Sequence, residues 1–186
     1  METTLIIGLG NPDPALAETY HNVGALAVRR IAERAAEAAS GDAASGGDGG
    51  APKFRAHKDS FAYAKIGTRI FVQPLTYMND SGRAVRDAMR AFGAEIKDII
   101  IIHDDSDIPV GEFKRVMGGG SAGHNGIRSI VDHLHTEDFA RIRIGIRAKD
   151  EPHRKKAGDF VLSPITSADK EEFEKVFEKI SSSLLS

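Results

Sequence analysis

Four consecutive isoleucines, in Asp98-Ile-Ile-Ile-Ile102, constrain this 186-residue chain more than any other feature. In an extended segment successive side chains point to opposite faces, so this run has no polar side. Such a strand must be covered from both faces, which is the situation at the centre of a sheet with helices above and below. The flanking pattern agrees. Thr4 to Leu9 reads as another short buried strand. Val23 to Ala38 reads as a helix, with Leu26, Val28 and Ile31 apolar and Arg29, Arg30, Glu33 and Arg34 marking a solvated side. Phe61 to Ile66 and Arg69 to Val72 flank Gly67-Thr68 as a hairpin. Asn79, Asp80 and Ser81 supply caps for a helix ending near Phe92. Further on come a strand at Phe113 to Met117, a helix at His124 to Leu134, a strand at Phe139 to Ile146 and an amphipathic helix at Ala168 to Leu185. Strands alternating with helices predict an α/β chain around one mixed sheet. Ser40 to Gly50 is small, polar and glycine-rich, and reads as a mobile surface loop spanning about 40–52.

Composition narrows the chemistry. There is no cysteine, which removes disulfides, Cys-ligated metals and a thiol nucleophile. No run of apolar residues is long enough to span a bilayer, so no membrane association is expected. With no Trp and 3 Tyr, a broad base-stacking platform is not expected. The formal charge of -2 hides a basic segment: residues 113–156 hold 10 Lys/Arg against 5 Asp/Glu, a net +5. That is enough for a local polyanion contact, or for an ordinary solvated face.

Polar clusters fall where α/β proteins place their sites, beyond the strand ends. Asn11 lies a short loop before His21 and Asn22. Tyr77, Met78 and Asn79 follow the hairpin. His103, Asp104, Asp105 and Asp107 follow the four-isoleucine strand, in what reads as a loop. A histidine held by a carboxylate keeps one nitrogen free to take a proton from water. No Gly-x-Ser-x-Gly elbow is present, so attack by water is the simpler hydrolytic scheme. Asp104, Asp105 and Asp107 also admit a magnesium site, although Asp104 and Asp105 face opposite sides of an extended chain. Gly8-Leu-Gly10 is too incomplete for a dinucleotide fingerprint. Gly118, Gly119 and Gly120 could let backbone N–H groups cradle a phosphate, or could form a flexible loop.

Gly8-Leu-Gly10-Asn11-Pro12, His21-Asn22-Val-Gly24, Thr76-Tyr77-Met78-Asn79, and Gly118-Gly119-Gly120 through His124-Asn125-Gly126, in this order, resemble the bacterial-type peptidyl-tRNA hydrolase family. The resemblance covers about residues 4 to 163. It implies a single domain over 1–186 built on a twisted mixed sheet. It also implies hydrolysis of the ester between a peptide and tRNA, with no metal and no cofactor, by a cytoplasmic monomer. Carried over by position, His21 is the general base and Asp104 steadies it. Asn11 discriminates blocked from free aminoacyl ends. Asn79 and Asn125 hold substrate and water. Tyr77, Met78, His124 and Leu16 line the groove, and Lys114, Arg115 and Arg143 meet phosphates. Departures from the family pattern are Asp13 for Gly, Leu16 for a groove-lining Tyr, and Tyr20 for Arg. A non-catalytic RNA-binding relative of the same fold is the rival, and the intact His21, Asp104 and Asn set speaks against it.

Overall fold

A computed structural model describes residues 3–40, 51–149, 158 and 160–185. The glycine-rich segment at 41–50 therefore lies outside the described residues. Seven strands form one sheet: β1 (Thr4–Gly8), β2 (Arg55–His57), β3 (Phe61–Ile66), β4 (Arg69–Pro74), β5 (Ile99–Pro109), β6 (Phe113–Met117) and β7 (Ala140–Arg147). Their spatial order is β2-β3-β4-β1-β5-β7-β6. The central strands β4, β1, β5 and β7 run parallel; β3 and β6 run against them, and β2 at the edge pairs antiparallel with β3. The hairpin thus makes the sheet mixed, as the sequence implies.

The isoleucine run divides as its alternation requires. Ile100 and Ile102 join Ile6, Ile142 and Ile144 beneath helices α1 (Val23–Ala39) and α4 (Ser167–Leu185). Ile99 and Ile101 join Leu5 and Ile7 beneath α2 (Ser81–Phe92) and α3 (Asn125–Leu134). Each fully buried isoleucine contributes about 1.5–3 kcal/mol of transfer free energy. Glycine permits a close approach where α1 meets the sheet. A methyl group at Gly24 would lie 2.3 Å from the Ile102 carbonyl oxygen, and one at Gly8 would lie 2.1 Å from the Gly24 oxygen. The Gly8-Leu-Gly10 run therefore serves helix–strand packing.

Three local expectations need correction. His103, Asp104 and Asp105 do not lie in a loop: β5 continues through them, and they oppose Arg143, Ile144 and Gly145 of β7. Ladder hydrogen bonds belong to the backbone, so polar side chains did not end the strand. Asp80 occupies the N-cap position of α2 without a side-chain cap bond. Its carboxylate accepts from Arg83 Nε at 2.7 Å instead. The polar side of α1 is only partly solvated, because Arg30 pairs with Glu174 at 3.1 Å and Arg34 pairs with Glu178, both on α4. No helix among the described residues is long and apolar enough to cross a membrane.

Candidate active site

Three elements converge at the carboxyl ends of β1 and β5. His21 sits in a short helical turn, Tyr20–Asn22, that leads into α1. Its backbone N–H donates to the Val161 carbonyl at 2.8 Å, fixing the turn against the 160s segment. Asp104, 4% exposed, projects from β5 on the α1 side. His124 is the N-cap of α3.

Asp104 Oδ1 receives His21 Nδ1 and His124 Nε2, each at 2.9 Å. Burial alone would raise the Asp104 pKa. The electrostatic influence of neighbouring His124 and the hydrogen bonds from His124 and His21 outweigh that and hold it well below the carboxylate range. An ionised carboxylate only accepts, so both imidazoles donate to it. His124 Nδ1 accepts from the backbone N–H groups of Gly126 at 3.1 Å and Ile127 at 3.3 Å. Its tautomer is therefore fixed, with the hydrogen on Nε2. His103 donates from Nδ1 to the Asp104 carbonyl at 2.8 Å, which leaves its Nε2 unprotonated but sealed and without a partner among the described residues. Burial first, then neighbouring His124, hold the His103 pKa well below its ordinary value.

His21 differs from both. Its Nδ1–H is spent on Asp104, and its Nε2 has no hydrogen-bond partner among the described residues and is not one of the sealed, unpartnered nitrogens. His21 lines a cavity of about 510 Å³, together with His103, the Asp104–Asp107 stretch and the Ser121–Asn125 loop. The arrangement offers one accessible base, aligned by a buried carboxylate, facing the cavity. The ligand atoms of His21, Asp104 and His124 also lie within 4.8 Å of one another. A metal there would need a lone pair on His124 Nε2. The two N–H groups at Nδ1 oppose that, since they keep the ring hydrogen on Nε2. Asp105 turns away from Asp104 and pairs with Arg143 Nε at 2.5 Å, so the aspartates do not gather around one ion.

The chain belongs to the peptidyl-tRNA hydrolase family. The family profile of that description matches residues 5–186. The peptidyl-tRNA hydrolase of Mycobacterium sp. (strain KMS) is 37% identical over 183 residues, covering 96% of this chain and 86% of that protein. That of Citrifermentans bemidjiense is 37% identical over 186 residues, covering 99% and 89%. The crystal structure of peptidyl-tRNA hydrolase from Acinetobacter baumannii superposes with a TM-score of 0.77 at 28% identity, covering 97% of this chain and 85% of that one. As a member of the peptidyl-tRNA hydrolase family the chain is an enzyme of the hydrolase class.

The other expected site residues of this peptidyl-tRNA hydrolase family member separate into groups. Asn125, exposed at the start of α3, lines the cavity. Asn11, Tyr77, Met78, Asn79 and Leu16 are not among its lining residues. Tyr77, 58% exposed, and Asn79 stand on the surface, while Met78 is buried and would touch a methyl placed on Gly126 of α3. Leu16 is half-buried in a short turn whose first bond comes from Asp13: Asp13 Oδ1 accepts from Ala15 N–H at 2.9 Å. Tyr20 has a structural use as well. Its hydroxyl donates to Asp169 at 2.5 Å, and its ring meets Phe160 and Phe173 edge-on, tying the His21 turn to α4.

The basic residues also divide. Lys114 opposes Arg143, and Arg115 opposes Ile142, on the edge strand β6. Lys114 and Arg143 therefore share the α3 side of the sheet, and Arg115 faces the α1 side. In the glycine run the Gly118 N–H is spent on the Phe139 carbonyl at 3.1 Å. The carbonyls of Gly118, Gly119 and Gly120 converge on the buried Arg141 guanidinium. Sequence reasoning passed over Arg141, whose only signal was a second arginine alternating with Arg143. It also passed over Asn22, which was visible only as the residue beside His21.

Proposed function

We propose that this chain hydrolyses the ester joining a peptide, or an N-blocked aminoacyl group, to the terminal ribose of tRNA, and so frees tRNA from prematurely dropped peptidyl-tRNA. The accessible, Asp104-aligned Nε2 of His21 carries this reading. A water in the cavity gives its proton to Nε2 while its oxygen adds to the ester carbonyl carbon. The tetrahedral intermediate then collapses, the bond to the ribose oxygen breaks, and the proton passes from Nε2 to that oxygen. Asp104 stabilises the imidazolium formed between these steps. The products are a free peptide carboxylate and a tRNA with its ribose hydroxyl restored.

Asn79 and Asn125, whose side-chain amides have no partner among the described residues, are offered to substrate and water, and exposed Tyr77 offers a face to the substrate. Lys114 and Arg143, on one side of the sheet, meet backbone phosphates. The reaction needs no metal, in keeping with the fixed hydrogen on His124 Nε2. The enzyme acts on a product of translation, which supports a cytoplasmic location, and it acts as a single-domain monomer.

Hydrolysis of an N-blocked aminoacyl-tRNA by the wild type and by His21→Ala tests the reading. Cleavage by the wild type, lost in the folded variant and insensitive to chelator, is the expected result. Binding of tRNA without cleavage favours the non-catalytic RNA-binding rival. Loss of activity on chelation, restored by Mg²⁺ or Zn²⁺, overturns the metal-free scheme.

A further inference from the structure

Asn22 lies beside His21 in the same helical turn, is 3% exposed, and spends its whole amide on one residue. Its Oδ1 accepts from the Asn11 backbone N–H at 2.9 Å, and its Nδ2 donates to the Asn11 backbone carbonyl at 3.0 Å. This two-point clamp fixes the Asn11 peptide relative to the turn that carries His21. The Asn11 side chain is fixed from the other end: its Oδ1 accepts from the Met78 backbone N–H at 2.9 Å. A backbone N–H can only donate, so the amide orientation follows from chemistry. Asn11 Nδ2 then has two hydrogens and no partner among the described residues, in a half-buried position.

We propose that Asn22 is a positioning residue that holds the Asn11 peptide in register with His21 while the Met78 N–H keeps the Asn11 amide turned as a hydrogen-bond donor, so that the site reads the acyl carbonyl on a blocked α-amino group and rejects a free ammonium. The inference rests on the hydrolase reading above and deepens it. A blocked substrate presents a carbonyl oxygen, which accepts from Asn11 Nδ2. A free α-amino group is a cation with donors only. Against Asn11 it would meet the positive end of another donor, with Oδ1 already occupied by Met78. Its desolvation would go uncompensated. An Asn with both amide ends open could have turned its oxygen toward the ammonium; this one cannot without breaking the bond to Met78. Asn22 touches neither substrate nor the reacting atoms, and acts by keeping Asn11 in register with His21.

The test compares kcat/KM on N-blocked and free aminoacyl-tRNA for wild type, Asn22→Ala, Asn22→Asp, Asn11→Ala and the Asn11→Ala/Asn22→Ala double variant. Loss of orientation over an ångström can lower a rate by about 10²-fold. Asn22→Ala is therefore expected to lower the blocked-substrate value by up to about that factor and to narrow the preference for blocked substrate correspondingly. In the Asn11→Ala background the same change should leave the preference where Asn11→Ala alone puts it, because Asn22 acts through Asn11. Asn22→Asp keeps the side-chain volume and the acceptor but sets oxygen against the Asn11 carbonyl. It should narrow the preference even where the alanine variant folds poorly, with folding followed by thermal unfolding. Equal slowing of both substrates, or additive effects in the double variant, would make Asn22 a residue of the turn alone and overturn the proposal. Wild type that cleaves neither substrate refutes the hydrolase reading, whereas wild type that cleaves with an unchanged preference in both Asn22 variants refutes this inference alone.

Discussion

The cluster around Asp104 and the basic edge around β6 teach opposite lessons about the same polar residue types. In the cluster each group is used up by a neighbour: Asp104 Oδ1 by two imidazoles, His124 Nδ1 by two backbone N–H groups, Asn11 Oδ1 by Met78. Of the atoms left unspent, His103 Nε2 is sealed, His21 Nε2 belongs to a residue that lines the cavity, and Asn11 Nδ2 is the donor we assign to the substrate. At the edge, Lys114 and Arg115 are exposed, with no side-chain hydrogen bond or ion pair among the described residues. Chemistry needs the first kind of region, where unpaired atoms are few and placed by a buried network. Electrostatic attraction needs only the second, where charge counts and geometry matters little.

The largest effect should come from breaking the cluster at its free atom. His21→Ala should lower kcat by about 10²–10⁴-fold with the fold retained, the range typical of a lost general base. Near-wild-type turnover in a folded variant would move the base elsewhere. Asp104→Asn should follow, with a smaller but clear loss, because the amide keeps an acceptor for the two imidazoles while giving up the charge that stabilises the imidazolium. A loss equal to or larger than that of His21→Ala would mean that Asp104 does more than orient the base.

A third test sharpens the contrast through stability. His103 is buried and neutral, with its pKa pushed well below the ordinary value, first by burial and then by His124. In the unfolded chain it protonates at about pH 6.5. Below that pH the unfolded state binds a proton that the folded state refuses, so stability falls as pH falls. Thermal midpoints should decline from about pH 6.5 downward, and His103→Asn should flatten that decline. Asp104, whose pKa is depressed, acts in a separate window, since its stabilisation is lost only as pH drops below the ordinary carboxylate value of about 3.9. An unchanged decline in His103→Asn would assign it to another group.

The smallest effects belong to the edge. Lys114→Ala and Arg143→Ala should each make the salt dependence of tRNA binding shallower by up to about one unit of slope, the contribution of one phosphate contact. Arg115→Ala, on the opposite side of β6, should leave the slope unchanged. Equal slopes for all three variants would mean that the basic segment acts as diffuse charge rather than as a face.

Much of the fold was legible because its signals are local. The four isoleucines announced the central strand, the turn at Gly67-Thr68 announced the hairpin, and the apolar stripe of Phe173, Val176, Phe177 and Ile180 announced the last helix. The end of β5 was not legible, since the bonds that extend it to Pro109 come from β7, remote in sequence. The motif residues His21, Asp104, Asn11, Asn79, Asn125 and His124 could be named from their order along the chain. Their roles could not, because a donor or acceptor role depends on which partner lies across the site.

The sequence by itself determined the class of architecture, the buried centre of the sheet, the absence of thiol chemistry and the family to which the motifs point. These follow from side-chain polarity, periodicity and spacing, which need no knowledge of what lies across the molecule. Only the tertiary structure decided which of three neighbouring histidines keeps a free nitrogen that is not sealed, that the glycine run turns its carbonyls onto Arg141, that Asn22 clamps Asn11, and that Lys114 and Arg115 face apart. Each of those outcomes is a hydrogen bond or a strand pairing between segments distant in the chain, and a hydrogen bond takes its direction from both partners at once.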